Sequence, residues 1–526
     1  MRLAVMRFAA NARGNFAIVS ALLMAPLVIG AGLAVDITSM NRAKDALQRA
    51  MDSASLAIAR EGEKVSDADA GKIASEFVAT NFGGKTGRID VKRVGSAVTV
   101  SASADIKLSF AALLGYTEAT VQASSTADIA YVSYEIGLVL DTTGSMAGGK
   151  LQAMKDAVLG LIDTMSEQVP DRNQLKFALV PFSAFVNVGD RFGPTFDALG
   201  NQRNDGANWI DMKGLANIPQ VEFRKGTSRF EVLHHIGQKW GGCVESRVAA
   251  AGKALDSEDI APDPSKPDTL FEPAFAIDEG DTGGYRNNYI ASPVDPLDKS
   301  LPGLIKKMLK YGVNLNPLGI PLAINLWGAP PKMDLSGGKG PNAGCNTQPI
   351  VALTSDYKTL EDKVNALTAA GNTNIMEGVA WGARVLSPQP PFTDGLDPAK
   401  VDHPVKKVMI VLTDGSNNFG NNGTGLGSAY SSFGYLVDGR LGTTTGNAAT
   451  TNGLMNAKTL DACTNAKSEG IELYTIRLEE PDVKTGMMLK DCATDAAHFF
   501  DAPSRNDLDA VFKSIKTKIT NVRLAS

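Results

Sequence analysis

Asn15 to Val35, NFAIVSALLMAPLVIGAGLAV, is a run of 21 residues without a charge. As a helix it is about 31 Å long, enough to cross the hydrocarbon core of a bilayer. The run ties the rest of the chain to a membrane, or is removed with a secretory signal. Signal peptides have apolar regions of about 7–15 residues. The greater length here favours a retained anchor, although Gly30-Ala31-Gly32 could serve as a cleavage site. Arg2, Arg7 and Arg13 precede the run, and Arg42, Lys44 and Arg49 follow it. The positive-inside comparison is therefore nearly level, and the free amino terminus tips it towards a cytoplasmic start.

Past the anchor, Met40, Ala43, Leu47, Ala50, Ala54 and Ala57 recur at steps of three and four. Small residues at one seam allow close helix approach, to the chain's own next module or to another helical subunit. A helical stretch at 65–82 and the alternating segment Arg88–Phe110, read as two or three antiparallel strands, form a small membrane-proximal α+β module over 61–130.

From Tyr134 the pattern changes. YEIGLVL (134–140), LKFALVPF (175–182), KKVMIVLTD (406–414) and IELYTIRL (471–478) are apolar runs suited to strands buried on both faces. Between and after them lie helical patterns at about 150–165, 356–368, 374–386, 453–469, 484–493 and 506–520. This alternation predicts an α/β fold over 131–526, a doubly wound, mostly parallel sheet with helices on both faces. Two stretches interrupt it. Residues 190–350 are rich in Pro, Gly, Asn and Asp, and an insertion of that length needs a folded part or a staple of its own. Residues 416–452 read as a flexible Gly/Asn/Thr loop.

At 526 residues the chain is too long for one ordinary core. A net charge of −5 gives no sign of a nucleic-acid partner. The four cysteines fall by region into Cys243 with Cys345 and Cys463 with Cys492; on their count alone, four buried thiols are as good a reading as two disulfides. Neither H-E-x-x-H nor G-x-S-x-G occurs, so enzymatic chemistry and a small-molecule substrate are not expected.

GLVLDTTGSMAGGKLQAM (137–154) has two readings. Gly144-x-x-x-x-Gly149-Lys150 has the spacing of a phosphate loop, which would make a nucleotide hydrolase. That loop needs a Ser or Thr after its Lys to reach magnesium, and here Leu151 follows. In the other reading, Asp141, Thr143 and Ser145 put three oxygen side chains just after a buried strand. Asp414 ends another strand, and Thr373 opens a helix. Hard divalent cations take oxygen ligands, and open α/β sheets bind ligands at the carboxyl ends of their strands. Singly, each residue fits a cap or a turn. Asn374 and Glu377, for instance, have capping-box spacing. Together they favour a metal. Lys150 is expected to face solvent on the first helical turn.

DTTGS (141–145), Thr373 and LTDG (412–415) resemble the metal-ion-dependent adhesion site of von Willebrand factor A domains, with Thr143 in place of the first Ser. The resemblance implies that Thr143 and Ser145 ligate a divalent cation directly. Thr373, Asp141 and Asp414 would do so directly or through water, leaving one place for a partner's carboxylate. The implied ion is magnesium, with manganese or calcium as alternatives. The amino-terminal RGNFAIVSALLMAPLVIGAGLAVDITSMNRAKDALQRAMDSASLAIA resembles Tad (tight adherence) pilus-assembly proteins of the TadE/TadG-like class. WGGCVESR (240–247), GVAWGARVLSP (378–388) and DAVFKSIKTKITNVRL (509–524) are similar to the TadG type, which joins such an anchor to a von Willebrand A domain. Flp prepilins carry Glu at the fifth mature residue. Counting from Gly14 that place is Val19, so a permanent anchor is expected.

The expected protein has an anchor and stalk over 1–60, the small module over 61–130 and a von Willebrand A-like domain over 131–526. It sits once through a bacterial inner membrane, with the large domain in the periplasm. It acts in assembly or anchoring of a Tad/Flp pilus, with pilin subunits or other assembly proteins as partners. A surface adhesin for a host or matrix protein is the alternative within the same fold.

Overall fold

The computed structural model describes residues 15–61, 65–82, 86–94, 97–128, 132–169, 171–197, 202–249, 253–281, 286–312, 329–422 and 425–521. Arg2, Arg7, Arg13 and Gly14 lie outside them. The chain divides into two compact units, Met1–Tyr131 and Val132–Ser526.

In the first unit, helix α1 (Asn15–Glu61) contains the uncharged run and continues past it. It is long and apolar enough to cross a membrane. Helix α2 (Asp67–Phe82) and an antiparallel sheet follow, with strands β1 (Ile89–Val94), β2 (Ala97–Lys107) and β3 (Glu118–Asp128) in that order. Leu47, Ala50, Met51, Ala54 and Ile58 of α1 are fully buried against Ala70, Ala74 and Val78 of α2 and the inner faces of β2 and β3. The small-residue seam is thus taken up by the chain's own module. β3 lies beyond the segment read as strands, because its alternation is carried by Ala, Val and Thr with little contrast between the two faces.

The second unit opens with β4 (Ser133–Asp141), α3 (Gly149–Gln168) and β5 (Leu175–Phe182). The insertion carries only β6 (Thr195–Phe196), β7 (Gln202–Asn204), α4 (Arg229–His235) and α5 (Leu301–Lys310) as strands and α-helices among the described residues. Then come β8 (Val351–Thr354), α6 (Tyr357–Asn365), α7 (Ile375–Leu386), β9 (Val405–Thr413) and α8 (Ala448–Ser468). β10 (Glu472–Leu478), α9 (Val483–Cys492), β11 (Phe499–Ala502) and α10 (Leu508–Asn521) complete it. The sheet order is β11-β10-β9-β4-β5-β8, parallel throughout except for β8, which runs antiparallel to β5 at one edge. This is the doubly wound architecture. From β4 the chain builds outward through β5, then crosses back to β9 and builds the other way. The strand order therefore reverses between β4 and β9.

Every residue of β4 is buried, as a central strand requires. One face packs on α3, α6 and α10, the other on α7, α8, α9 and the insertion. The cysteines form Cys243–Cys345 and Cys463–Cys492, the pairing by region. Sequence separations of 102 and 29 residues correspond to roughly 5 and roughly 4 kcal/mol in the chain-entropy account. The expectation of a flexible loop at 416–452 is corrected. Phe419, Leu426, Tyr430, Phe433, Tyr435, Leu436 and Leu441 are buried in the main core. Its apolar residues have no period and sit among Gly and Asn, so the composition hides them.

Candidate metal site

β4 and β9 are parallel neighbours with Leu140 opposite Leu412. Their carboxyl ends therefore deliver Asp141 and Asp414 to one edge, at the reversal of strand order where α/β sheets hold ligands. The loop after β4 turns back on its own acid. The Thr143 N–H donates to Asp141 Oδ1 at 2.8 Å, and the Thr143 and Ser145 hydroxyls lie 3.0 Å apart. Ser145 Oγ donates to Asp414 Oδ1 at 2.6 Å, across 269 residues of sequence. Asp141 and Thr143 are fully buried, whereas Ser145 is exposed.

Thr373 arrives on the loop before α7. That loop is stitched to the first one: Gly144 N–H donates to Gly371 O at 3.0 Å, and Ala370 N–H to Thr142 O at 2.8 Å. It is also tied to the loop after β9, where Asn418 N–H donates to Thr373 O at 2.8 Å. A Cβ on Gly415 would stand 3.5 Å from Ser145 Oγ and 3.9 Å from both Thr373 Oγ1 and Glu480 Oε2. Glycine thus keeps clear a small space faced by oxygens of three loops. Asn374 caps α7 by accepting from the Glu377 N–H at 3.4 Å. Glu377 does not complete a capping box; its carboxylate accepts from Trp381 Nε1 at 2.8 Å and from the Ser246 hydroxyl inside the core.

Three residues at the site escaped the sequence reading. Thr413 donates its hydroxyl to Asp141 Oδ2 at 2.6 Å. Glu480 follows the end of β10 as Asp141 and Asp414 mark the ends of β4 and β9, and that shared position was a usable signal. The third is Lys150, expected to face solvent. Its Nζ instead donates to Asp414 Oδ2 at 2.7 Å, and its side chain is only 20% exposed. A long side chain on the first helical turn thus reaches Asp414 and is largely withdrawn from water.

Burial, and secondarily the facing Asp414 carboxylate, push the Asp141 carboxyl up to about 6, against the hydrogen bonds from Thr143 and Thr413. Two acids facing each other beside one ammonium leave excess negative charge. The donors are carboxylate and hydroxyl oxygens without sulfur or imidazole, which suits a hard dication. The Lys150 ammonium that a phosphate loop would need lies on a carboxylate instead, and the N–H groups of Thr143, Gly144, Met146 and Ala147 are bonded within the protein.

WGGCVESR and GVAWGARVLSP are structural here. Glu245 is buried with Arg229 and Arg440 at 2.8 and 2.7 Å, and Arg247 donates to the carbonyls of Leu255, Ile260 and Thr269. Through Ser246 and Glu377 they join the insertion to α7.

Residues 14–61 match the Tad family, described as "Putative Flp pilus-assembly TadE/G-like". No curated protein matches the chain. Among solved structures, the pilus adhesin SpaC from Lactobacillus rhamnosus GG is similar at 12% identity and TM-score 0.31, over 82% of this chain and 34% of that one. This chain thus spans about a third of SpaC. The vWF domain of the type V pili tip protein Mfa5 from Porphyromonas gingivalis is similar at 11% identity and TM-score 0.33, over 75% and 97%. The PilB minor pilin from Streptococcus sanguinis is similar at 10% identity and TM-score 0.31, over 82% and 77%. The doubly wound architecture stands on strand order and register, independently of these likenesses. The amino-terminal helix, in contrast, is similar in sequence to the TadE/G-like pilus-assembly family over its whole length.

Proposed function

We propose that this is a membrane-anchored protein of Tad/Flp pilus assembly or anchoring whose second unit binds a protein ligand through a divalent cation, magnesium first. Thr143, Ser145 and Asp414 would hold the ion, with Asp141 and Thr373 completing the set directly or through water. A bound ion would offer its open place to a carboxylate of a pilin or another assembly protein. The observation that carries this reading is the convergence of Asp141, Thr143, Ser145 and Asp414 at the reversal of strand order. Two disulfides fit an oxidising compartment. With the uncharged span of α1, they support an inner-membrane anchor and a periplasmic second unit.

The test is calorimetric titration of the purified full chain with magnesium, and separately with ATP. Asp414→Asn and Asp141→Asn are each expected to weaken magnesium binding at least about tenfold, equivalent to about 1.4 kcal/mol, with no ATP binding. Unchanged magnesium affinity in both variants would reject the metal reading. ATP binding that disappears in Lys150→Met would restore the nucleotide reading.

A further inference from the structure

The β2–β3 connection, LSFAALLGYT (108–117), has no charged residue in ten and is flanked by Lys107 and Glu118. Of its apolar side chains only Ala111 is buried, and none belongs to the hydrophobic cluster of the module. Leu113 is 77% exposed, Tyr116 69% and Leu114 52%. A soluble loop of this length normally carries polar residues at its tip, and an exposed apolar cluster marks a contact surface.

The loop is held rigidly in this exposed arrangement. Ala111–Leu114 form a single helical turn, and Gly115 at φ 95° reverses the chain. That conformation favours glycine. Gly115 N–H donates to Ala112 O and Tyr116 N–H to Ala111 O, both at 3.1 Å, while Leu108 N–H donates to Thr117 O at 3.0 Å across the base.

It is also locked to one level of α1. The buried Asp36 carboxylate accepts the N–H groups of Ser109, Phe110 and Ala111 at 3.0, 2.9 and 2.7 Å. Phe110 lies so close to Gly32 that a Cβ there would stand 2.4 Å from its ring. Asp36 is the first charge after the uncharged run, and Gly32 is inside it. At 1.5 Å per residue, Phe110 meets α1 about 5 Å within the end of that run. Leu22, Leu23, Met24, Leu27 and Val28 on the same helix are also exposed. The apolar surface of the loop is therefore continuous in level with the surface that the span offers to lipid.

We infer that the 108–117 loop is a second membrane contact, with Leu113, Leu114 and Tyr116 seated in the lipid at the interface beside α1. Its partner is the bilayer itself. Leucines enter the acyl region, while tyrosine suits the headgroup boundary, where one end of the ring is apolar and the other wet. Two contacts, a span and a wedge fixed to it by Asp36, would set the depth and rotation of the first unit relative to the membrane. A single helix leaves rotation about its axis free. The inference rests on the membrane anchor of the proposed function.

The four native cysteines are all in disulfides, so single added cysteines can carry an environment-sensitive fluorophore. The full chain is labelled at Leu113→Cys, Tyr116→Cys, Leu27→Cys or Lys72→Cys and reconstituted in phosphatidylethanolamine/phosphatidylglycerol vesicles. Quenching is by a spin-labelled lipid with its label high in the acyl chain, or by aqueous iodide. The expected result is loss of fluorescence to the lipid quencher, with little loss to iodide, at 113 and 116, and the reverse at 72. Quenching by lipid at 27 but by iodide at 113 and 116 would overturn the loop contact while the anchor stands. Iodide quenching at 27 as well would overturn both. Protection of 113 and 116 from both quenchers would mean that protein covers the loop, which also rejects the inference.

Discussion

Lys150 holds one positive charge against Asp414 Oδ2 at 2.7 Å, and Ser145 holds the other oxygen. A dication coordinated by Asp414 must displace that ammonium or share the carboxylate with it, so the pair opposes metal binding. Lys150→Met removes the competitor and keeps the aliphatic length. It is expected to tighten magnesium binding about tenfold, or 1.4 kcal/mol, by titration at low ionic strength. Weaker binding in the variant would show that the ammonium supports the ion rather than competing with it. Asp141, Thr143, Ser145, Thr373 and Asp414 could be named from sequence because each sits at the end of a strand or the start of a helix, where local pattern fixes position. The Lys150 pairing could not, because it spans 264 residues and depends on β9 lying beside β4. Periodicity carries no information on that neighbour relation. Thr413 was hidden for a related reason: its hydroxyl points along the sheet edge to Asp141, while its type is ordinary for a strand.

Helix α7 crosses the sheet on two glycines. A Cβ on Gly378 would stand 2.7 Å from Phe182, and one on Gly382 would stand 2.6 Å from Val139 and 2.9 Å from Met409. The close approach seats the amino end of α7, with Thr373 before it, next to the β4 loop. Gly382→Leu has nowhere to put its side chain in a packed interface and is expected to destabilise by about 3 kcal/mol, measured by denaturant unfolding. Gly453→Ala is the matched control. Gly453 is in α8 with nothing within 4 Å of its Cβ position, so a gain of about 0.5 kcal/mol is expected from the reduced freedom of the unfolded chain. A Gly382→Leu protein as stable as wild type would mean that the helix sits farther from the sheet. Elements with long, strongly apolar or periodic patterns were legible: β4, β5, β9 and β10, and the helices that follow them. β8 and β11 have four residues each, too few to stand out from the surrounding chain. The insertion was legible as an insertion but not as a structure. Its core is an aromatic and ion-pair packing, Phe223 with Phe275 and Tyr311, and Arg229 with Glu245 and Glu272, without secondary-structure period.

Across the whole molecule, the acids that burial moves most share one direction. Burial raises Asp141 and Asp278 to about 6, Asp438 and Glu469 to about 7 and Glu272 to about 8, in the last case against the attraction of Arg229. Unfolded, such groups titrate near 4. Between about pH 4 and about pH 8 the folded chain therefore binds more protons than the unfolded one, and stability falls as pH rises through this window. Other groups set the acid limit. Arg229 and Arg440 hold Glu245 below its ordinary value despite burial, and hydrogen bonds from Ser265 and Lys266 hold Asp263 down at about 2. Their contribution is present above pH 4 and is lost as pH falls through their folded values. Thermal unfolding of the full chain in detergent with a chelator, from pH 3.5 to 8.5, is expected to give the highest midpoint near pH 5. Magnesium should raise the midpoint by an amount that grows up to about pH 6 and then levels off, because a dication favours the ionised form of Asp141 and stabilises the folded state by mass action. Asp438→Asn separates burial from metal: it should flatten the chelator profile between pH 5 and 8 and leave the magnesium-dependent gain unchanged. A midpoint that climbs steadily from pH 5 to 8 in chelator would mean that the buried acids are ionised and paired in the folded protein. The charge imbalance argued for the site would then be absent.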